Sequence, residues 1–263
     1  MILYCIVHML FISPPFGNYY HRFCSSIFSN QQSSTCDKNI LPICGSFTVY
    51  PRPGLLSQIF KTLRYSFQHD GWVNKIGLRN PGIHYFLKNN CSNTDKSIIS
   101  IALLNKDDVA IMQRTIPEHA NIELNVSCPN TDKHMVREGL SVFLNDKRKW
   151  CIIKLSPLDT TQDIDYFYKQ GFRQFHCCNT YPLPSGLGGL SGKYLQPYVL
   201  EKIRYIKSNF DKTIVIAGGG IDSIDDVELY RKNGADHFSI STLCFSPIRF
   251  LCFYFRWIDK YGV

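Results

Sequence analysis

The sequence predicts an α/β fold, a single-domain (β/α)8 TIM barrel, and three observations carry that prediction. Eight short apolar runs recur along the 263 residues, each ending in polar residues or glycine. Several runs are nearly continuous in Val, Ile, Leu and Phe, as strands buried on both faces of a parallel sheet must be. Helical patterns separate most of them, and strand, helix, strand at this rhythm makes a parallel sheet that eight repeats close into a barrel. The length suits one such barrel, and a hydrophobic content of 44% supplies its core.

The first run, "MLFIS" (9–13), ends an apolar opening too short to span a bilayer. That opening has no basic leader and no small-residue cleavage site, so it reads as a buried strand and not as a signal peptide. The segment 18–38 is polar, serine-rich and without period, which makes it loop or a degraded helix and leaves the first β/α unit eroded. "LPICGSFT" (41–48) is the second strand, and a long insertion (48–77) follows it. "SIISIAL" (97–103), "NIELNVS" (121–127) and "WCIIKLS" (150–156) are the next three. "TTQDIDYFYKQG" (160–171) opens on Thr/Asp capping residues and stops at glycine, the signature of a helix. "FRQFHCCN" (172–179) is the sixth strand, and "KYLQPYVLEKIRYIKSNF" (193–210) carries apolar residues at helical spacing. "TIVIAGG" (213–219), the capped helix "SIDDVELYRKNG" (223–234) and "HFSIST" (237–242) complete the series. The aromatic end, 245–263, either closes the barrel as its eighth helix or meets a second subunit in a homodimer.

A formal charge of +8 suits an anionic ligand, but the basic residues are scattered, with no run longer than "DKRK" (146–149), and nucleic acid is not an expected partner. The eleven cysteines show no CxxC pair and no His/Cys zinc pattern. Free thiols buried in apolar runs, such as Cys44, Cys151 and Cys177, fit a reducing compartment, so the expectation is a cytoplasmic chain with no metal and no transmembrane segment.

In a barrel, chemistry gathers at the C-terminal ends of strands, and polar residues concentrate there in this sequence. "IAGGGIDS" (216–223) is a strand, a glycine turn and a helix start, where backbone N–H groups and the helix dipole favour a phosphate. "SIST" (239–242) adds hydroxyls on the last strand. Lys154, among apolar neighbours in "CIIKLSP", is costly to bury unless it meets a charge, and reads as a cation beside an electron-rich ring or an oxyanion. "ELNVSCPNTD" (123–132) brings Asn125, Cys128 and Asn130 to one strand end. Each amide both donates and accepts, which suits a flat ligand with several polar edges, and a thiol there can serve as a base. The other cysteines, Cys178 included, and His176 read as core.

Together with "GSFTVYPRPG" (45–54), "GWVNKIGLRNPG" (71–82) and "CCNT…GGLSGKYLQP" (177–197), these motifs resemble the dihydroorotate dehydrogenase family of flavin mononucleotide (FMN) enzymes, from about Cys44 to Ile248 and in the family's order. The resemblance implies that Ser46, Ser100, Lys154, Gly192, Gly219, Gly220, Ser241 and Thr242 hold FMN. It implies that Asn125 touches both flavin and substrate, and that Asn74, Gly77, Leu78, Asn130, Asn179 and Thr180 bind a small pyrimidine. Cys128 would be the base, and the reaction the oxidation of (S)-dihydroorotate to orotate on the route to pyrimidine nucleotides. Where the family carries a lysine for the substrate carboxylate, this chain has "SPPFGN" (13–18) and Gly45, leaving Arg22, Lys38 and Lys75 as candidate replacements. Two alternatives stand beside this reading: a related flavin barrel acting on uracil or dihydrouridine, and a degenerate barrel that binds flavin without turnover.

Overall fold

The computed structural model describes residues 7–20, 39–90, 96–126 and 137–262. Its strands are β1 (Leu10–Ile12), β2 (Ile40–Phe47), β3 (Arg64–Ser66), β4 (Gly71–Asn74), β5 (Ile98–Ile101), β6 (Asn121–Asn125), β7 (Cys151–Leu155), β8 (Gln174–Cys177), β9 (Tyr181–Leu183), β10 (Gly188–Gly192), β11 (Ile214–Gly218) and β12 (His237–Ile240). Eight of them close into a parallel barrel in the order β1-β12-β11-β8-β7-β6-β5-β2. These are the eight apolar runs of the sequence, and the (β/α)8 fold is the one expected.

Helices α1 (Leu55–Thr62), α2 (Ile83–Asn90), α3 (Lys106–Thr115), α4 (Thr161–Lys169), α5 (Gln196–Asn209), α6 (Ile224–Lys232) and α7 (Pro247–Tyr261) complete the described elements of that kind. Both capped helices start where the sequence places them. Thr160 and Asp163 at α4, and Ser223 and Asp226 at α6, exchange reciprocal side-chain to backbone hydrogen bonds. The aromatic C-terminal stretch is the last barrel helix: α7 buries Phe250, Phe253, Tyr254 and Trp257, and the Trp257 ring lies 6.0 Å from Phe238 on β12. After β1 the chain makes a short 3-10 turn, Phe16–Tyr19, and most of the eroded first unit (21–38) lies outside the described residues.

Side chains alternate faces along a strand, so residues two apart share the barrel interior. The lower interior is apolar: Phe11, Ile43, Ile98, Trp150, Ile152 and Ile216 form one buried cluster, distinct from the larger cluster between strands and helices. Two residues further on, the same face carries Ser13, Ser100, Lys154 and Gly218. The barrel is therefore filled by hydrocarbon at one end and floored by polar groups at the C-terminal end.

The insertion after β2 was expected only as an insertion. It supplies β3 and β4 to a second, antiparallel sheet of order β3-β4-β10-β9, with Gly189 opposite Asn74 and Gly192 opposite Gly71. Trp72 of this sheet meets Phe245, just after β12, at 4.9 Å between ring centroids, which ties the sheet to the barrel.

At the other end of the barrel, His237 Nδ1 accepts a hydrogen bond from the Met9 backbone N–H, between the Phe11 and Trp150 rings. Burial pushes its imidazole down from 6.5 to about 4. The folded state thus refuses a proton that the unfolded chain accepts below 6.5, so stability is full above that pH and falls toward 4. The shift corresponds to about 3 kcal/mol by that point. The urea midpoint is expected to drop between pH 7.5 and 5, and His237→Gln is expected to flatten the slope. A midpoint that holds constant would contradict this.

Candidate active site

The C-terminal mouth of the barrel holds a cavity whose walls come from both sheets. Ser13, Lys154, His176, Gly218 and Ser239 contribute from the barrel interior, and Ser191 and Gly192 from β10. Cys178, Asn179, Thr180, Gly219, Gly220, Ser241 and Thr242 follow the strand ends and also line it. Among the described lining residues, none is a carboxylate and Lys154 is the one Lys or Arg. Such a lining favours an anionic or electron-rich ligand.

The turn after β11 needs glycine for its backbone conformation and for its close packing on the chain after β10. Gly219 and Gly220 hold φ of +107° and +76°, and a Cβ at Gly220 would stand 2.7 Å from Gln196 Cγ, 3.1 Å from Lys193 Cα and 3.2 Å from the Gly192 carbonyl oxygen. No side chain fits there, and the turn leads directly into α6 through its Ser223 cap. A glycine turn, a helix N-terminus and the Ser241 and Thr242 segment together suit a phosphate.

The floor is a directional hydrogen-bond chain. Ser100 Oγ donates to Glu123 Oε1 (2.9 Å), so the hydroxyl contact between Ser46 and Ser100 (2.9 Å) must have Ser46 as donor. Asn125 Nδ2 donates to Ser46 Oγ (2.9 Å), and Asn179 Nδ2 donates to Asn125 Oδ1 (3.1 Å). Every link points the same way, toward the Glu123 carboxylate, which is wholly buried. Chains aligned like this reinforce one another.

Glu123 also accepts from Lys154 Nζ on Oε1 (3.3 Å) and from His176 Nδ1 on Oε2 (2.6 Å). Burial alone would raise the carboxyl. The Lys154 cation, His176 and Ser100 outweigh it and hold the group down at about 2. Burial, followed by the Lys154 charge, pushes the His176 imidazole below its ordinary value despite Glu123. His176 is therefore neutral near pH 7 and donates through Nδ1. Burial pushes the Cys178 thiol up to about 12, which leaves it protonated and unsuited to act as a base.

Of the residues singled out in the sequence, Lys154, Asn179, Thr180, Gly192, Gly219, Gly220, Ser241 and Thr242 come together around the cavity. Ser46, Ser100 and Asn125 connect to it through the hydrogen-bond chain, and the Ser100 hydroxyl is spent on Glu123. Asn74, Gly77 and Leu78 are not in the cavity lining. They lie at and after the end of β4, which pairs with the β10 wall. Cys128 and Asn130 lie outside the described residues, as do Arg22 and Lys38. Lys75 is exposed in the loop after β4.

Sequence reasoning missed Glu123 and took His176 for core. His176 is buried as expected, at 2% exposure, but its imidazole hydrogen-bonds Glu123 and edges the cavity. The signal for both was present: His176 on β8 pairs with Lys154 on β7, and Glu123 lies on the same inward face of β6, two residues before Asn125, which pairs with Lys154 from the other side.

Comparison with known proteins agrees with this architecture. The dihydroorotate dehydrogenase family matches residues 29–249. A protein of Thermotoga maritima named dihydroorotate dehydrogenase B (NAD(+)), catalytic subunit, is 30% identical over 200 residues, covering 66% of this chain and 72% of its own. Its namesake in Listeria monocytogenes is 26% identical over 255 residues, covering 86% and 82%. The crystal structure of DHODH from Eimeria tenella in complex with ferulenol superposes with a TM-score of 0.67 at 17% identity, over 84% of this chain and 74% of that one, a likeness of fold. With most of its length matched in sequence and its strands closed into this barrel, the chain belongs to the dihydroorotate dehydrogenase family.

Proposed function

We propose that this protein is an FMN-dependent dehydrogenase that oxidises (S)-dihydroorotate to orotate in pyrimidine biosynthesis. The observation that carries the reading is the cavity lining: one lysine, no carboxylate among the described residues, and a glycine turn at a helix start, in a chain of this family. These groups fit FMN. Gly219, Gly220, Ser241 and Thr242 would hold its phosphate, and Lys154 would face the electron-rich edge of its ring. FMN when bound supplies the hydride acceptor.

The chain's own residues bind, orient and move a proton. Asn125 and Asn179, locked by the chain that ends on Glu123, would present amide edges to a flat pyrimidine, and Thr180 and Asn130, the latter outside the described residues, would join them. Asn74, Gly77 and Leu78 would close over the substrate from the second sheet. Cys128 would take the proton from the ring carbon of dihydroorotate. Four buried free thiols, Cys44, Cys151, Cys177 and Cys178, support a reducing compartment such as the cytoplasm. Among the described residues no helix is long and apolar enough to cross a membrane.

The test is an anaerobic titration of the purified protein with dihydroorotate, following the flavin absorbance near roughly 450 nm. Bleaching is expected. A yellow protein that dihydroorotate leaves unbleached would keep the cofactor and remove the substrate. A colourless protein that takes up no added FMN would remove both.

A further inference from the structure

We propose that Glu123 and His176 are positioning residues for Lys154, fixing its ammonium at one point of the cavity floor where it meets the bound flavin ring. The inference rests on the flavin reading of the cavity and adds two residues to it.

The geometry divides one carboxylate between two duties. His176 Nδ1–H occupies Oε2 at 2.6 Å, which leaves Oε1 to Lys154 and Ser100 at 3.3 and 2.9 Å. With both oxygens engaged and the side chain wholly buried, the carboxylate has no freedom to turn. A lysine head is a point charge on a flexible stem, and an anchored anion is what gives it a fixed place. The anchor is itself braced. A Cβ at Gly218 would stand 2.5 Å from His176 Nε2, so the imidazole occupies the space that a side chain on β11 would need. Gly218 has an ordinary φ, and it is glycine for room, not for conformation.

The imidazole has to be neutral for this arrangement. As a cation it would compete with Lys154 for the same carboxylate. The charged groups facing it are Glu123 from β6 and Lys154 from β7, while Gly218 from β11 and Ser239 from β12 bring none. Burial and the Lys154 charge keep it below its ordinary value, so it serves as an N–H donor at working pH. Positioning partners of this kind behind a ligand-binding group commonly matter as much as the group itself.

The experiment measures FMN binding to the flavin-free protein by fluorescence quenching. Glu123→Gln is expected to weaken binding about tenfold or more, the scale of a lost charge-assisted hydrogen bond. Because Glu123 acts through Lys154, Glu123→Gln with Lys154→Met is expected to bind no more weakly than Lys154→Met alone. The visible spectrum of flavin bound to Glu123→Gln is expected to shift toward that of Lys154→Met. Independent, additive losses with an unshifted spectrum would overturn the proposal. His176→Asn, which keeps a donor near the Nδ1 position, is expected to bind more tightly than His176→Leu, and equal binding would also count against it. Imidazole 15N shifts of the flavin-free wild type provide a readout that does not depend on the cofactor. The Nδ1–H tautomer is expected to persist below pH 6.5, and the opposite tautomer would remove His176 from the role. Wild-type protein that fails to bind FMN would sink the flavin reading, while this spectrum would still decide the His176–Glu123 pair.

Discussion

Replacing Cys128 by alanine or serine is expected to slow reduction of the bound flavin by dihydroorotate about 10² or more, the usual scale for a lost acid–base group. Among the described residues, Cys178 is the one thiol in the cavity lining, and it is not fit to take over. Burial pushes Cys44, Cys151 and Cys178 each up to about 12, so at neutral pH they are thiols without useful basicity. Cys128 follows β6, the strand that delivers both Asn125 to the hydrogen-bond chain and Glu123 to the floor. Single-turnover stopped-flow under anaerobic conditions checks the prediction, because it isolates flavin reduction from the later reoxidation. An undiminished rate in Cys128→Ala would move the base elsewhere. His176, whose imidazole edges the cavity, would then be the next group to replace.

The barrel was legible because its determinants are local. Each of the eight strands is a short apolar run bounded by polar residues, and the capping pairs Thr160/Asp163 and Ser223/Asp226 mark two helix starts by spacing alone. The second sheet was not legible, because its pairs are distant in sequence. Gly71 meets Gly192, and neither β3 nor β10 has the apolar alternation that announces a strand. The site divides the same way. Glycines, hydroxyls and amides at strand ends could be read as ligand contacts one by one. What could not be read is which of them spend their hydrogen bonds on each other. Ser46 and Ser100 are relays to a carboxylate that looks, in "NIELNVS", like an ordinary interruption of an apolar run. Burial by itself did not mark a functional lysine either. Lys202 is as deeply buried as Lys154, but its ammonium donates to the backbone carbonyls of Pro157 and Asp159.

That contrast sets the scale for the second large effect. Lys154→Ala is expected both to release FMN and to destabilise the fold by about 3–5 kcal/mol, because it strands a buried carboxylate without its cation. Burial is already the largest influence on Glu123 and it raises the carboxyl; without the lysine only His176 and Ser100 oppose it. In the wild type the group is held near 2 against an ordinary 4.5, so its stabilising contribution is present above 4.5 and lost as pH falls toward 2. In the variant the sign reverses: the folded state prefers the protonated acid, so the deficit is full at neutral pH and shrinks as pH falls through the raised value. Urea unfolding of flavin-free protein at pH 7.5 and 5 separates this from a simple packing loss, which would be equal at both. Combining Lys154→Ala with Glu123→Gln removes the stranded charge. That double variant is expected to regain part of the lost stability without regaining FMN. Recovery of neither, with a deficit independent of pH, would mean that the lysine is held by its hydrocarbon stem and that the ion pair contributes little to the fold.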